Sequence, residues 1–255
     1  MTCLFNAVIS LFPTTHPIGM FRLMPRLNRG KALLLLLGAF LSQSLLASNI
    51  LIPMDAESQK NHLKAYGITY WVLTKQQKVQ WLLNYRGGSF LLPDGESIRK
   101  ECQIRGVSYE ILSDGQAQSI LDEIGSPSRN QEAVILEKAP KIAVYSPKDN
   151  QPWDDAVTMV LTYAEIPYIT VYDREVLGDK LVLYDWLHLH HEDFTGQYGK
   201  FYGAYRAAPW YIEGKQEAEA LATELGYAKV SEEKRDVALK IRNYVIGGGF
   251  MFAMC

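Results

Sequence analysis

The chain has 255 residues, 48% of them hydrophobic and 21% charged, with a formal net charge of −2. Those proportions are ordinary for a globular protein of one large or two small domains. They exclude a basic nucleic-acid footprint, a disordered acidic tail and a cysteine-rich scaffold, since only three cysteines are present.

The first segment reads as a targeting signal. Arg22, Arg26, Arg29 and Lys31 form a positive region, Ala32–Leu41 an apolar run, and Leu45-Leu46-Ala47 a small-residue cleavage site. The run is short for a membrane span, and Ser42-Gln43-Ser44 interrupts it. Residues 1–47 are therefore expected to be a signal peptide, with a natural start near Met24 and a mature chain from Ser48 or Asn49. The protein is expected to be exported, periplasmic or secreted, and to meet the membrane only through this transient signal. An uncleaved N-terminal anchor is the competing expectation. Of the cysteines, Cys102 and Cys255 remain after export, and a bridge between them requires Cα atoms within about 7 Å.

From Ser48 to about residue 139 the patterns describe a small α+β region. Ile50–Pro53 is a short apolar strand or arm, and Glu57–Ala65 has helical character with Gly67 as its stop. Ile68–Leu73 and Val79–Tyr85 are rich in β-branched and aromatic residues and read as strands, with Arg86–Ser89 as a turn. Ser97–Arg105 reads as a helix, Val107–Leu112 as a strand and Gln116–Ile124 as a helix. Gly125-Ser126-Pro127-Ser128 and the polar stretch to Pro140 read as a linker.

Residues 140–255 alternate strand and helix. Lys141–Tyr145, Tyr168–Tyr172 and a third run ending at Leu187–His190 are strands, with a helix over Trp153–Ala164 between the first two. Gln216–Leu225 and Glu232–Val245 are amphipathic helices, and Phe250–Met254 is a last, buried strand. This rhythm predicts an α/β fold with a doubly wound, mostly parallel sheet, in which ligands bind beyond the carboxyl ends of the strands.

Two polar clusters fall at those ends. The first is Cys255, approached through the turn Gly247-Gly248-Gly249 and an apolar strand, the layout of a nucleophile elbow. Held at a helix N-terminus, a thiol loses its proton more readily and becomes nucleophilic. The alternative is a core cysteine ending an apolar strand. The second is His188-Leu189-His190-His191-Glu192-Asp193. His188 and His190 share a strand face and can hold a metal with the following carboxylates, or Glu192 and Asp193 can orient a histidine in an acid–base relay. They can also simply hydrogen-bond and shape a loop. Beyond them, the stretch 194–211 is aromatic and glycine-rich, and Tyr198, Lys200 and Arg206 can stack on and pair with an anionic or sugar-like ligand. It can equally pack over a domain edge.

Over residues 140–255 the strand order, the His-His-Glu-Asp strand end and the Gly247–Cys255 run resemble the class I glutamine amidotransferase-like fold. The resemblance implies a flavodoxin-like sheet, truncated C-terminally at the elbow, with Cys255 as nucleophile and His190, His191 and Glu192 bordering the pocket. Asn61–Gly67, Trp81–Phe90 and the Leu187–Asp193 run resemble exported bacterial proteins labelled asparagine synthetase B. The Ser-Gly-Gly-x-Asp-Ser loop of an ATP-dependent synthetase does not occur in the chain. The resemblance thus implies cysteine-dependent hydrolysis of an amide or acyl bond in a small-molecule or envelope-associated substrate, with no cofactor and no resident metal. Two alternatives stand beside it: a non-catalytic exported binding module, and a metallohydrolase using His188 and His190.

Overall fold

Alternating side chains of short apolar strands build the first half of the protein. The computed structural model describes residues 48–146, 156–190 and 205–254. β1 (Ser48–Ile52), β2 (Val79–Leu83), β3 (Ser89–Pro93), β4 (Glu110–Ser113) and β5 (Glu132–Leu136) pair antiparallel in the order β4-β1-β3-β2-β5. Ile50, Ile52, Val79, Phe90 and Leu92 point to one face, where α1 (His62–Thr74) and α2 (Glu96–Arg105) cover them. Leu51, Leu82, Leu91 and Leu112 point to the other and meet α3 (Asp114–Ile124). Both faces are covered, so the inner strands β1 and β3 read as unbroken apolar runs rather than alternating ones.

The turn between β2 and β3 is tied down by charge. The Arg86 guanidinium donates to Asp55 at 3.0 Å, Glu110 at 2.8 Å and Ser58 at 2.9 Å. Gly87 follows at φ +79°, and a Cβ there would lie 2.4 Å from the Met54 carbonyl oxygen, so glycine is required.

Three expectations fail in this half. Residues 68–73 are not a strand and Gly67 is not a stop, because a single helix runs from His62 to Thr74, with the Asn61 side chain accepting from the Lys64 amide. Ala65, Ile68 and Val72 face the antiparallel core, while Tyr70 packs towards the parallel sheet. A helix apolar on two sides has no amphipathic stripe, and its β-branched residues then imitate a strand. The supposed linker before Pro140 contains β5, which pairs with β2 along its full length.

The second half is a four-stranded parallel sheet, ordered β7-β6-β8-β9. β6 (Ile142–Tyr145) leads to α4 (Ala156–Ala164) and β7 (Tyr168–Val171). α5 (Asp173–Leu177) and a 3-10 turn (Lys180–Leu183) lead to β8 (Trp186–His190). α6 (Pro209–Glu224), α7 (Val230–Ile246) and β9 (Phe250–Met254) complete it. Ile142 and Val144 pack with Leu161 of α4, whereas Ala143, Tyr145 and Leu187 pack with Val176 of α5 and with Val237 and Ile241 of α7. The protein is thus mixed α/β, with one parallel and one antiparallel sheet. The helices α1 and α4 join them: Lys64 pairs with Glu165 at 2.5 Å, and Asn61 donates to the Tyr163 hydroxyl at 2.8 Å. Among the described residues no helix is long and apolar enough to cross a membrane.

β9 was expected to be buried, and it is not. It forms the outer strand of the sheet, with Phe250 75% and Phe252 52% exposed. Beside it, Leu189, Ala238, Ile241, Val245 and Met251 line an apolar groove of about 430 Å³ along α7.

Candidate functional site

The carboxyl ends of the parallel strands lie side by side. Tyr145, the last residue of β6, is in register with Val171 of β7 and Leu189 of β8, and Leu189 with Ala253 of β9. One step further along, His190 is in register with Met254. The two strand ends that carry the polar sequence clusters are therefore adjacent parallel neighbours, and Cys255 is bonded directly to the residue paired with His190. Cys255, His191, Glu192, Asp193, Tyr198 and Lys200 lie outside the described residues, and His190 is described by its backbone alone.

Gly247, Gly248 and Gly249 form the turn from α7 into the start of β9, at the end of the strand away from Met254. Gly247 caps the helix and Gly248 takes φ +99°. A Cβ on Gly249 would fall 2.2 Å from the Tyr244 ring, whose hydroxyl donates to the Tyr184 carbonyl at 3.2 Å. The glycines let the helix end pack against the start of its strand.

His188 does not stand open to a ligand. It is buried, with its ring stacked on Phe252 at 5.7 Å between centroids. Among the described residues no group of three His, Cys, Asp or Glu side chains could hold a metal ion. Arg206 is exposed just before α6, between Tyr205 and Trp210, whose rings are 5.4 Å apart. Tyr211 packs inward, so the aromatic segment divides between surface and interior. Cys102 is a free thiol on the buried face of α2, and burial pushes its pKa up to about 11.

A second polar cluster occupies the ends of β6 and β7, and it was not foreseen from the sequence. Tyr145 donates to one carboxylate oxygen of Asp173, the first residue of α5. Lys234 in the first turns of α7 donates to the other at 2.7 Å, and to the hydroxyls of Tyr145 and Tyr172 at 3.0 Å each. Its ammonium also sits 4.4 Å from the centre of the Tyr172 ring. Burial works against the charge on Lys234, but Tyr172 and Asp173 outweigh it and hold the ammonium above its usual pKa. Glu233 lies next to this pair, fully buried; no donor reaches either carboxyl oxygen, and the neighbour that it can meet, when protonated, is the Asp173 carboxylate. Burial first, then the negative charge of Asp173, raises its carboxyl to about 7.

The signal for this cluster was faint but present. Tyr145 and Asp173 fall at the ends of two predicted strands, where function is expected in a parallel sheet. Glu233 and Lys234 read as solvated residues of an amphipathic helix, and only the tertiary packing puts them inside. Comparison with family models, with curated proteins and with solved structures returned no match to this chain.

Proposed function

We propose that this is an exported hydrolase whose parallel-sheet half is a doubly wound, class I glutamine amidotransferase-like domain, related to the exported proteins labelled asparagine synthetase B. The reading rests on one observation: β8 and β9 are parallel neighbours with His190 in register with Met254. That register supports a reactive edge in which Cys255 is the nucleophile and His190, His191 and Glu192 border the pocket. The thiolate adds to an amide or acyl carbonyl, the C–N or C–O bond breaks as the leaving atom takes a proton, and water then releases the acyl group and restores the thiol. Imidazole groups beside the sulfur favour the thiolate and supply that proton. No cofactor takes part.

The test is Cys255→Ala in the full-length exported protein, assayed against a panel of small amides and esters. Removing a covalent nucleophile lowers turnover by at least about 10³-fold. Undiminished hydrolysis by the variant would dispose of the proposal. A thiol that alkylates with an ordinary pKa of about 8.5 would count against it too.

The exposed Tyr205–Trp210 pair beside Arg206 favours a second reading, a binding module that cleaves nothing. In that case Trp210→Ala abolishes ligand binding while Cys255→Ala leaves it intact. The metal-dependent alternative has less support, since His188 is committed to the sheet interior against Phe252.

A further inference from the structure

The two carboxyl oxygens of Glu233 are inside the protein and accept no hydrogen bond. An ionised carboxylate in that position costs several kcal/mol, more than a folded protein of ordinary stability tolerates without compensation, so the group takes a proton instead. The surroundings offset its charge only in part, because the repulsion from Asp173 outweighs the attraction to Lys234. From α5 comes Asp173, from β6 Tyr145, from the end of β7 Tyr172, and from α7 itself Lys234. Lys234 carries one positive charge, and Asp173 already balances it. The turn before α7 contributes Tyr227, whose hydroxyl donates to Asp236 at 3.2 Å. Other charges on neighbouring elements have partners of their own: Glu224 of α6 pairs with Arg174 of α5, Asp179 before the 3-10 turn pairs with Lys240, and Glu175 of α5 accepts from the Tyr172 amide; Lys180 of the 3-10 turn is exposed. The N-terminus of α7 favours a carboxylate by only about 0.3–1 kcal/mol, too little to offset the desolvation.

We propose that Glu233 is a proton-operated latch on α7: neutral, it seats the first turns of the helix against β6 and α5, and ionised, it leaves the interior and undocks them. On ionisation the proton passes to bulk water, and the new charge repels Asp173 while gaining hydration outside. Lys234 is the next residue, so the contacts that it makes to Asp173, Tyr145 and Tyr172 are strained by the same movement. The far end of α7 runs through Gly247–Gly249 into β9, so the latch controls how this helix lies over the parallel sheet. The carboxyl value of about 7 places the transition near neutrality.

The experiment is amide hydrogen exchange on the full chain at pH 5 and pH 8, corrected for intrinsic exchange, comparing wild type with Glu233→Gln. The undocked carboxyl has the ordinary value of 4.5 and the docked one a value of about 7, so raising the pH from 5 to 8 favours undocking by roughly 50–100-fold. Protection in the first turns of α7 is therefore expected to fall by that factor in the wild type, with the antiparallel sheet as internal reference. Glu233→Gln, permanently neutral, is expected to keep its protection at both pH values. Unchanged protection in the wild type, or an equal loss in the variant, would overturn the latch. Should the variant not fold, carbon NMR of the Glu233 carboxyl in the wild type decides: titration near neutrality supports the latch, and titration in the ordinary carboxylate range overturns it.

Discussion

Gly67→Ala sets two effects of opposite sign against one another. In the middle of a helix, alanine is favoured over glycine by about 1 kcal/mol, so α1 taken alone becomes more stable. At this position, however, the new Cβ would lie 1.8 Å from the carbonyl oxygen of Ala164 in α4, where ordinary contact begins at 3.4 Å. The neighbour is backbone, which no rotamer change can move aside. Relieving the clash requires α1 and α4 to separate by about 1.6 Å, which opens the packing between the layers at Tyr70, Val157 and Leu161. Overpacking of this kind costs about 1–3 kcal/mol, and the severity of the overlap puts Gly67→Ala at the upper end. Subtracting the helix gain leaves a net loss of about 2 kcal/mol. In a unit of this size that lowers the melting temperature by roughly 4–8 °C. Urea titration followed by far-UV circular dichroism and by tryptophan fluorescence gives the difference directly. A neutral or stabilised Gly67→Ala would refute the close contact between α1 and α4, and with it the docking of the two sheets.

Lys234→Met leaves the Asp173 carboxylate buried without its cation and is expected to cost about 3–5 kcal/mol, read from denaturant midpoints. Adding Asp173→Asn to Lys234→Met is expected to recover most of that loss, whereas additive losses would show that the pair does not act as a unit. Glu233 binds its proton more tightly folded than unfolded, so the wild type loses stability as the pH rises from 4.5 to about 7, by about 3 kcal/mol in all. Glu233→Gln removes that slope, and thermal melts at pH 5 and pH 8 test it. Cys102, with its thiol raised to about 11 in the core, is expected to resist iodoacetamide at pH 8 until the protein unfolds. Rapid labelling of Cys102 in the folded protein would contradict its burial.

The parallel half was legible because its strands are short and apolar, and the helices α4, α6 and α7 between them are long enough for their period to show. The antiparallel half was less so. Its α1 is shared between two layers, and a helix that buries residues on opposite sides offers no 3.6-residue stripe to read. β5 was hidden for the opposite reason: at the outer edge of its sheet it exposes Glu132 and Ile135, and its polar approach from Gly125 to Gln131 resembles a linker. α5 was missed because five residues are too few for any periodicity to show.

The site divides in the same way. His190 and Cys255 could be singled out because histidines and a cysteine at strand ends are rare enough to notice one at a time, and the parallel pairing of β8 with β9 brings their strands together. Tyr145, Asp173, Glu233 and Lys234 are common residue types whose meaning depends on one another. A lysine and a glutamate side by side in a helix of mean amphipathic character normally face water, and here the crossover of α7 over β6 turns both inward. Once inside, Lys234 finds three acceptors, whereas no donor reaches Glu233. That asymmetry makes Lys234 a structural tie and Glu233 the group whose charge the fold opposes. The carboxyl edge of this sheet thus joins two groups of residues: the proposed reactive side chains, which can be singled out by their identity, and a buried polar cluster recognisable only from its packing.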